Sequence, residues 1–383
     1  MRVAVLTREY PPEIYGGAGV HVTNLVEQLT KLVDVDVQCF GAPRGEAGVR
    51  AYRPWGEVEE PALQAMSVDL PLAAGCRGAD VVHSHTWYAN LGGHLASLLH
   101  GIPHVLTAHS LEPLRPWKRE QLGGGYELSL FCERTAVHGA AAIVAVSAGM
   151  RDDILSTYPS VDPDRVVVIH NGIDTDAWRP APDAGALERW GIDPRRPSVA
   201  FVGRITRQKG VEHALAAAES ISPDAQVVLC AGAPDTPEIG AEMRKLAASV
   251  AARRGGIVWI EEMLPRDDLR QILTAATVFI CPSAYEPFGL TNLEAMACET
   301  AVVASAVGGI PEIVVEDETG HLVPLVDDPA EFAAGVAGRV NALLADPSRA
   351  AAMGRAGRLR AIEHFGWPAV AARTVSLYET LVS

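Results

Sequence analysis

The sequence is short of positive charge. Against 47 aspartate and glutamate residues it has 32 lysines and arginines, and its net charge is −15. A nucleic-acid partner needs a basic face, and docking on anionic lipid needs basic residues near the membrane, so we expect neither partner. No apolar run approaches the roughly 20 residues of a transmembrane helix. Only four apolar residues precede Thr7, which favours a first strand over a signal peptide.

Cysteine is sparse as well. The six cysteines are scattered, without a close pair at metal-ligand spacing, at positions 39, 76, 132, 230, 281 and 298. We interpret them as reduced, mostly buried thiols, and the cytoplasm is the expected location. The glycine-rich segment near the start lacks the G-x-G-x-x-G spacing of a dinucleotide fingerprint.

Short apolar runs alternate with longer amphipathic segments along the whole chain. The runs that favour strands are 3–6, 35–40, 79–82, 104–107, 143–146, 166–169, 199–202, 225–230, 257–260, 278–281 and 301–304. Helix-like patterns include 20–33, 211–221, 267–276 and 330–344. Apolar strands separated by helices are typical of α/β proteins with parallel sheets covered on both faces.

The length of 383 residues favours two domains. The strand–helix pattern breaks over residues 178–197, where four prolines and two glycines indicate an interdomain linker. We therefore predict two Rossmann-like, doubly wound domains that face each other across a cleft, over residues 1–177 and 198–365. Residues 366–383 form a helical tail. Ligands of such domains collect at the carboxyl ends of the strands.

The most informative segment is Glu286-Pro-Phe-Gly-Leu-Thr-Asn-Leu-Glu294, directly after the apolar run 278–281. A turn and then a helix from about Thr291 are expected, and the backbone amides of residues 288–291 would attract an anion. A carboxylate on each side of an anion site suits a diphosphate between two sugars. The alternative is an ordinary strand–turn–helix with solvated glutamates.

Two further loops follow predicted strands and suit phosphate groups. Arg204, Arg207 and Lys209 lie in one loop, Gly203–Gly210, where cations are good diphosphate ligands. Gly16, Gly17 and Gly19 open the first helix, where backbone amides can approach a ligand closely. The alternatives are a solvated basic loop and a tight turn.

Three histidines, His83, His85 and His109, are expected just past strand ends. A sugar-hydroxyl contact is plausible for His109, whereas His83 and His85 lack a matching carboxylate cluster for a metal. The Asn171-Gly172 pair is interpreted as a turn. Residues 114–125 are basic, aromatic and glycine-rich, which suits either a mobile loop that grips an acceptor or an exposed charged loop.

Together these segments resemble the retaining GT-B glycosyltransferases of family 4. The glycine loop at 16–19, the basic loop at 203–210, the Glu-x7-Glu pair and Ser305-Ala-Val-Gly-Gly-Ile-Pro-Glu312 carry the resemblance over nearly the whole chain. Within that family, segments 10–22 and 109–118 are similar to compact actinobacterial-type glycogen synthases. The chain departs from common bacterial glycogen synthases, which carry a lysine-led glycine loop where it has Gly16-Gly17-Ala18-Gly19.

The resemblance implies roles for individual residues. Catalytic roles go to Glu286, His109, Arg204 and Lys209: Glu286 lies beside the transferred glucose, and His109 contacts the glucosyl unit on the acceptor side. Arg204 and Lys209 hold the donor diphosphate. The remaining donor contacts are Gly17, Phe288, Gly289, Leu290, Thr291 and Glu294, of which Glu294 binds the ribose. Acceptor contacts are assigned to Glu9, Tyr15, His85, Lys118 and Arg119. The tail is expected to cross back to the first domain.

The implied activity is retaining α-1,4-glucosyl transfer from ADP-glucose, with UDP-glucose as the other donor. The acceptor is glucose 1-phosphate, giving α-maltose 1-phosphate, or a glycogen or α-1,4-glucan end. No cofactor and no metal are expected, because a cationic clamp and a helix N-terminus stabilise the leaving diphosphate, and no Asp-x-Asp stands where a metal-dependent transferase needs one. The oligomeric state is open, with a homodimer as the candidate assembly.

Three alternatives remain. Another family-4 enzyme, such as a phosphatidylinositol mannosyltransferase, would need a basic amphipathic surface for its lipid acceptor, which this acidic chain does not show. A sugar-nucleotide 2-epimerase would not need the Glu-x7-Glu pair together with the basic loop. A non-catalytic glycan-binding protein would not need intact cationic and carboxylate positions.

Overall fold

The computed structural model describes residues 1–14, 16–181 and 183–382. The chain divides into two compact units, one formed by Met1–Gly172 with Trp367–Ser383 and the other by Ile173–Gly366. None of the helices among the described residues is both long and apolar enough to span a bilayer.

The first unit has a seven-stranded, all-parallel sheet in the order β3-β2-β1-β4-β5-β6-β7. Its strands are Arg2–Thr7 (β1), Asp34–Phe40 (β2), Val49–Tyr52 (β3), Val81–His85 (β4), His104–Ala108 (β5), Ala142–Ala145 (β6) and Val166–Val168 (β7). Its helices are Gly17–Leu29 (α1), Pro61–Gly75 (α2), Trp87–His100 (α3), Lys118–Leu122 (α4), Gly125–Gly139 (α5), Ala148–Thr157 (α6) and, from the end of the chain, Trp367–Val382 (α15).

The second unit has a six-stranded parallel sheet in the order β10-β9-β8-β11-β12-β13. Its strands are Ser198–Arg204 (β8), Gln226–Gly232 (β9), Ile257–Ile260 (β10), Val278–Cys281 (β11), Ala301–Ser305 (β12) and Gly320–Val323 (β13). Its helices are Gly185–Arg189 (α7), Val211–Ala218 (α8), Pro237–Arg254 (α9), Arg266–Ala275 (α10), Leu290–Ala297 (α11), Ile310–Ile313 (α12), Pro329–Ala345 (α13) and Pro347–His364 (α14).

Both sheets reverse their strand order, beside β1 in the first unit and beside β8 in the second, as doubly wound folds do. The central strands are buried on both faces because helices cover them: residues 3–6 are inaccessible to solvent. The predicted α/β class with two Rossmann-like parallel sheets is confirmed. All six cysteines are buried thiols.

Several boundaries differ from the prediction. The fourth strand runs over 81–85 instead of 79–82, so His83 and His85 lie inside it and not past its end. His83 is tolerated there because buried polar groups find partners: its Nδ1 lies 2.6 Å from the hydroxyl of Tyr378 and its Nε2 lies 2.7 Å from Oγ1 of Thr107. The edge strands β3 and β13 are short and mix polar with apolar residues. They were not predicted because neither contains a continuous apolar run.

The proline-rich segment 178–197, expected as a linker, lies within the second unit, and the chain passes between units at 172–173 and 366–367. The segment is held there by side chains of α10. The Ala186 amide donates to Oε1 of Gln271 over 2.9 Å, and Arg189 donates to both carboxylate oxygens of Asp268. The tail, α15, belongs to the first unit, where Tyr378 is fully buried.

Candidate active site

The Glu-x7-Glu segment lies where a parallel sheet presents ligand sites. It follows the carboxyl end of β11, and α11 begins at Leu290, directly after Gly289. Gly289 has φ of 111°, a conformation that residues with a side chain rarely adopt. The first amides of a helix have no acceptor within the helix itself, and here the helix begins at a strand end, which is the geometry of an anion site.

An ion pair forms the centre of this site. Nζ of Lys209 lies 2.7 Å from Oε2 of Glu286, which also accepts a 3.2 Å hydrogen bond from the Ser283 hydroxyl. The Glu286 side chain is only 7% exposed, whereas the Lys209 side chain keeps 24% of its surface. Burial is the largest single effect and would lower the pKa of Lys209, but the charge and hydrogen bond of Glu286, together with Cys281 and Glu294, leave the net pKa raised. The lysine is therefore cationic at neutral pH.

Close backbone packing fixes the position of Glu286. The Gly309 amide donates to the Glu286 carbonyl over 3.0 Å. A Cβ on Gly308, whose φ is +53°, would lie 2.0 Å from that same oxygen. A Cβ on Gly210, with φ of +65°, would lie 2.1 Å from the carbonyl oxygen of Pro282. The glycine pair of the 305–312 segment and the last glycine of the basic loop thus bring their backbones against the strand end that carries Glu286.

The second carboxylate has a different environment. Burial raises the pKa of Glu294 to about 8, although the charge of Lys209 opposes this shift. Its carboxyl group is therefore mostly protonated at neutral pH. Nearby in α11, Asn292 is fully buried, and its side-chain nitrogen and oxygen have no hydrogen-bond partner among the described residues.

Arg204 continues the site at the end of β8. Its guanidinium donates to Oδ1 of Asp235 over 2.7 Å while its side chain stays 45% exposed. A cavity of about 210 Å³ adjoins it. The cavity is lined by residues at the ends of β8, β9 and β10 and by α10: Val202, Gly203, Arg204, Cys230, Gly232, Ala233, Glu261, Glu262, Met263, Leu264 and Leu269.

In the first unit, histidines from three elements meet at the carboxyl edge of the sheet. Nδ1 of His85 lies 3.0 Å from Nε2 of His109, and the His21 ring centroid lies 4.7 Å from that of His109. His21 is itself buried, and the side chain of Asn171 lies beside it. Burial lowers the pKa of His21 to about 4. The pKa values of His85 and His109 lie well below the usual range, first through burial and then through neighbouring histidines.

This three-histidine cluster, His21, His85 and His109, brings one nitrogen from each ring within 4.8 Å of the others. Three neutral imidazoles are a donor set that suits Zn²⁺. However, His85 and His109 are already hydrogen-bonded to each other through Nδ1 of His85 and Nε2 of His109. The expectation of a metal-free site stays a prediction.

The glycine loop is tied to a carboxylate. Oε2 of Glu9 accepts from the Gly16 amide over 2.8 Å. A Cβ on Gly19 would lie 2.7 Å from that Glu9 oxygen, so the loop closes tightly on the side chain. Gly17 is the first residue of α1 and is exposed. Tyr15, another candidate acceptor contact, lies outside the described residues.

The basic segment 114–125 is more ordered than predicted. It contains α4, and α5 begins at its last residue, Gly125. Lys118 is buried, with Nζ 3.7 Å from Oε1 of Glu112. Arg119, by contrast, is mostly exposed and donates to Glu127 over 2.7 Å. The two adjacent candidate acceptor contacts therefore lie in different environments.

The sequence did not indicate several parts of this arrangement. Ser283, Asn292 and Asp235 escaped notice because single polar residues carry no pattern. The cavity beside Arg204 escaped because its lining comes from four separate segments. Of these site residues, only Gly308 and Gly309 could have been found from the sequence, because they lie within the segment 305–312 that supported the family resemblance.

Two family descriptions match the chain. Residues 15–177 match Glycosyltransferase Family 4, and residues 186–360 match Glycosyl transferases group 1. The solved structure of sucrose-phosphate synthase from Thermosynechococcus elongatus is similar at a TM-score of 0.81 and 26% identity, covering 99% of this chain and 98% of that one.

Curated relatives span the same length. The α-maltose-1-phosphate synthase of Mycolicibacterium smegmatis is 59% identical over 382 residues, 99% of both chains. A D-inositol 3-phosphate glycosyltransferase of Thermobispora bispora is 34% identical and covers 78% of this chain and 70% of its own. On these matches, the protein belongs to the GT-B glycosyltransferases of family 4.

Proposed function

We propose that this hexosyltransferase moves glucose from a nucleotide sugar to glucose 1-phosphate and forms the α-1,4 bond of α-maltose 1-phosphate. The observation that carries the proposal is the 59% identity, over 99% of both chains, with an α-maltose-1-phosphate synthase. The proposed donor is ADP-glucose, with UDP-glucose as the alternative.

The groups of the second unit suit the departure of a nucleoside diphosphate. As the bond to the anomeric carbon breaks, negative charge grows on the diphosphate. Lys209 is cationic at neutral pH and already held in place by Glu286, and the α11 amides add oriented dipoles. Preorganised charges of this kind need no reorientation during the reaction, which is why they contribute strongly to catalysis.

The carboxylates do not suit a covalent intermediate. Retaining glycosidases use two carboxyl groups about 5 Å apart, one as the nucleophile. Here Glu286 is engaged by Lys209 and Ser283, and the raised pKa of Glu294 leaves it mostly protonated at neutral pH. We therefore propose front-face transfer with retention, in which Glu286 lies beside the glucosyl unit and Glu294 donates or accepts at the ribose hydroxyls.

The cavity beside Arg204 is the proposed nucleobase site. It combines apolar side chains such as Val202, Leu264 and Leu269 with backbone groups at strand ends, as nucleobase and cofactor pockets do. Arg204, which contributes to the cavity lining, is then placed to exchange Asp235 for a diphosphate oxygen.

The histidine cluster of the first unit is the proposed sugar contact. Because the pKa of His109 lies well below the usual range, its ring is neutral at physiological pH and can both donate and accept hydrogen bonds. A neutral ring suits glucosyl hydroxyls and adds no charge near a developing oxocarbenium ion. We propose that the reaction needs no metal.

The test measures nucleotide release from ADP-glucose and from UDP-glucose with glucose 1-phosphate or glycogen as acceptor, with the product linkage determined by NMR. Turnover with glucose 1-phosphate that gives an α-1,4-linked disaccharide phosphate is expected. Turnover with glycogen alone would refute the proposed acceptor and make the enzyme a chain-elongating synthase. No turnover with either would refute the glucosyl-transfer proposal.

A further inference from the structure

A basic cluster lies at the carboxyl edge of the first unit's sheet. Two cationic side chains lie against the ring of Tyr88, near the start of α3. Cζ of Arg8 lies 4.0 Å from the ring centroid, and Nζ of Lys118 lies 5.9 Å from it. Arg115 joins them through Glu112, whose Oε1 lies 3.7 Å from both Arg115 and Lys118. We call Arg8, Arg115 and Lys118 the Tyr88 cluster.

The chain brings these residues together from three strand ends. Arg8 follows β1, Tyr88 follows β4, and the segment with Arg115 and Lys118 follows β5. Thr86, between β4 and α3, has φ of 65°, which is costly for a β-branched residue. Such strain is often kept where a turn must present the next residues in one orientation, and here those residues include Tyr88.

Two cations of the cluster share one acidic partner. Oε1 of Glu112 lies 3.7 Å from both Arg115 and Lys118, so one carboxylate is shared by two cations. The buried Glu133 lies behind Glu112, and burial together with Glu112 raises its pKa to about 8, so it adds little negative charge at neutral pH.

Arg115 also has an unused donor. It donates to the Ser110 hydroxyl over 3.2 Å, while its buried Nε has no hydrogen-bond partner among the described residues. A guanidinium presents five donors in a planar fork that matches phosphate oxygens. An unsatisfied buried donor next to two further cations is the arrangement that a bound anion completes.

We propose that the Tyr88 cluster binds the phosphate group of the acceptor, a sugar 1-phosphate. This inference rests on the proposed function and adds the residues that would select a phosphorylated acceptor over a neutral glucan end. A dianionic phosphate among two arginines and a lysine forms several charge-assisted hydrogen bonds. A glucan end presents only hydroxyls there and would leave the three cations without that anion.

The test compares Arg8→Gln and Arg115→Gln with the wild-type chain, at saturating donor and varied glucose 1-phosphate. Each variant is expected to raise the KM for glucose 1-phosphate roughly 10- to 100-fold, the loss of one or two charge-assisted hydrogen bonds, with a smaller effect on kcat. ADP binding should be unchanged. Inorganic phosphate, used as a competing probe, should inhibit the variants more weakly than the wild type.

Arg77→Gln is the matched control. It removes the same charge from an exposed position between α2 and β4, at the amino edge of the parallel sheet, opposite the Tyr88 cluster. Its KM should equal that of the wild type. Arg8→Lys and Arg115→Lys keep the positive charge and serve as conservative variants in case the glutamine variants do not fold. Thermal unfolding of every variant shows which of them remain native.

The outcomes separate the two proposals. If the wild type makes the disaccharide phosphate and both glutamine variants keep a KM within twofold, the cluster is not the phosphate site. The assignment would also be overturned if the glutamine variants weakened ADP binding as much as they weakened the binding of glucose 1-phosphate. If the wild type shows no turnover, the proposed function fails, and calorimetric binding of glucose 1-phosphate to wild type and Arg115→Gln then tests the cluster. Loss of binding in the variant alone would still support it, and equal binding would overturn it.

Discussion

Removal of the Lys209 ammonium should separate the catalytic and the structural contributions of the buried ion pair. In Lys209→Ala the Glu286 carboxylate, on a side chain that is 7% exposed, keeps only the 3.2 Å bond from Ser283 that the structure shows for Oε2. Breaking a buried pair by removing one partner costs about 3–5 kcal/mol. Since the Lys209 side chain is 24% exposed, water can reach the gap, and we expect the lower value, about 3 kcal/mol.

A loss of about 3 kcal/mol in a unit of this size lowers Tm by roughly 6–12 °C. Independently, loss of the cation should lower kcat by about 10²–10³, the effect of removing one preorganised group from a developing anion. The double variant Lys209→Ala/Glu286→Gln, which removes the buried charge as well, should regain most of the lost Tm but none of the turnover. Lys245→Ala, on the exposed face of α9, removes an equal charge and should change neither quantity.

The assays are thermal unfolding by circular dichroism and nucleotide release at a temperature where every variant is folded. A double variant no more stable than Lys209→Ala would show that the unpaired carboxylate is not the source of the destabilisation. Turnover of folded Lys209→Ala within threefold of the wild type would refute the role of the lysine at the leaving diphosphate.

Three further predictions concern packing, pH and metal. Gly308→Ala should lower both turnover and Tm, because its Cβ would lie 2.0 Å from the Glu286 carbonyl oxygen at a φ of +53°. The control is Gly338→Ala in α13, which has open space around it and should stabilise the fold by about 0.5–1 kcal/mol. Equal effects of the two substitutions would contradict the packing argument. Burial and Glu112 raise the pKa of Glu133 to about 8, so its contribution to stability is complete below pH 4.5 and is lost as the pH rises through 8. Urea unfolding should show that the wild type loses stability from pH 6 to 9 and that Glu133→Gln loses less. Parallel plots of unfolding free energy against pH would show that Glu133 is not the source of the pH dependence. Turnover should survive treatment with EDTA and gain nothing from added Zn²⁺, and a metal-dependent rate restored by Zn²⁺ would instead point to the three-histidine cluster.

Much of the architecture followed from local patterns. Continuous Val/Ile runs predict central parallel strands because such strands are buried on both faces, and ten of the eleven predicted runs closely coincide with observed strands. The exception was β4, which lies two to three residues later than predicted. Its buried His83 and His85 interrupt the apolar pattern, and His83 can be buried because it has hydrogen-bond partners in Thr107 and Tyr378. The loop–helix geometry at Gly289 also followed from sequence, because only glycine readily adopts that conformation.

Other features depended on contacts between distant segments. The pairing of Lys209 with Glu286 spans 77 positions, and that of His83 with Tyr378 spans 295. No local pattern encodes such partners, and neither does the raised pKa of Glu294, which burial alone produces.

The sequence by itself determined the two parallel-sheet units, the strand-end loops and the family, because these depend on periodicity, glycine positions and short motifs. Tertiary structure decided which charges are paired, which histidines are neutral and which cations share one aromatic ring. Those properties arise from burial and from distances between strand ends, and a parallel sheet brings such ends together from positions far apart in the chain.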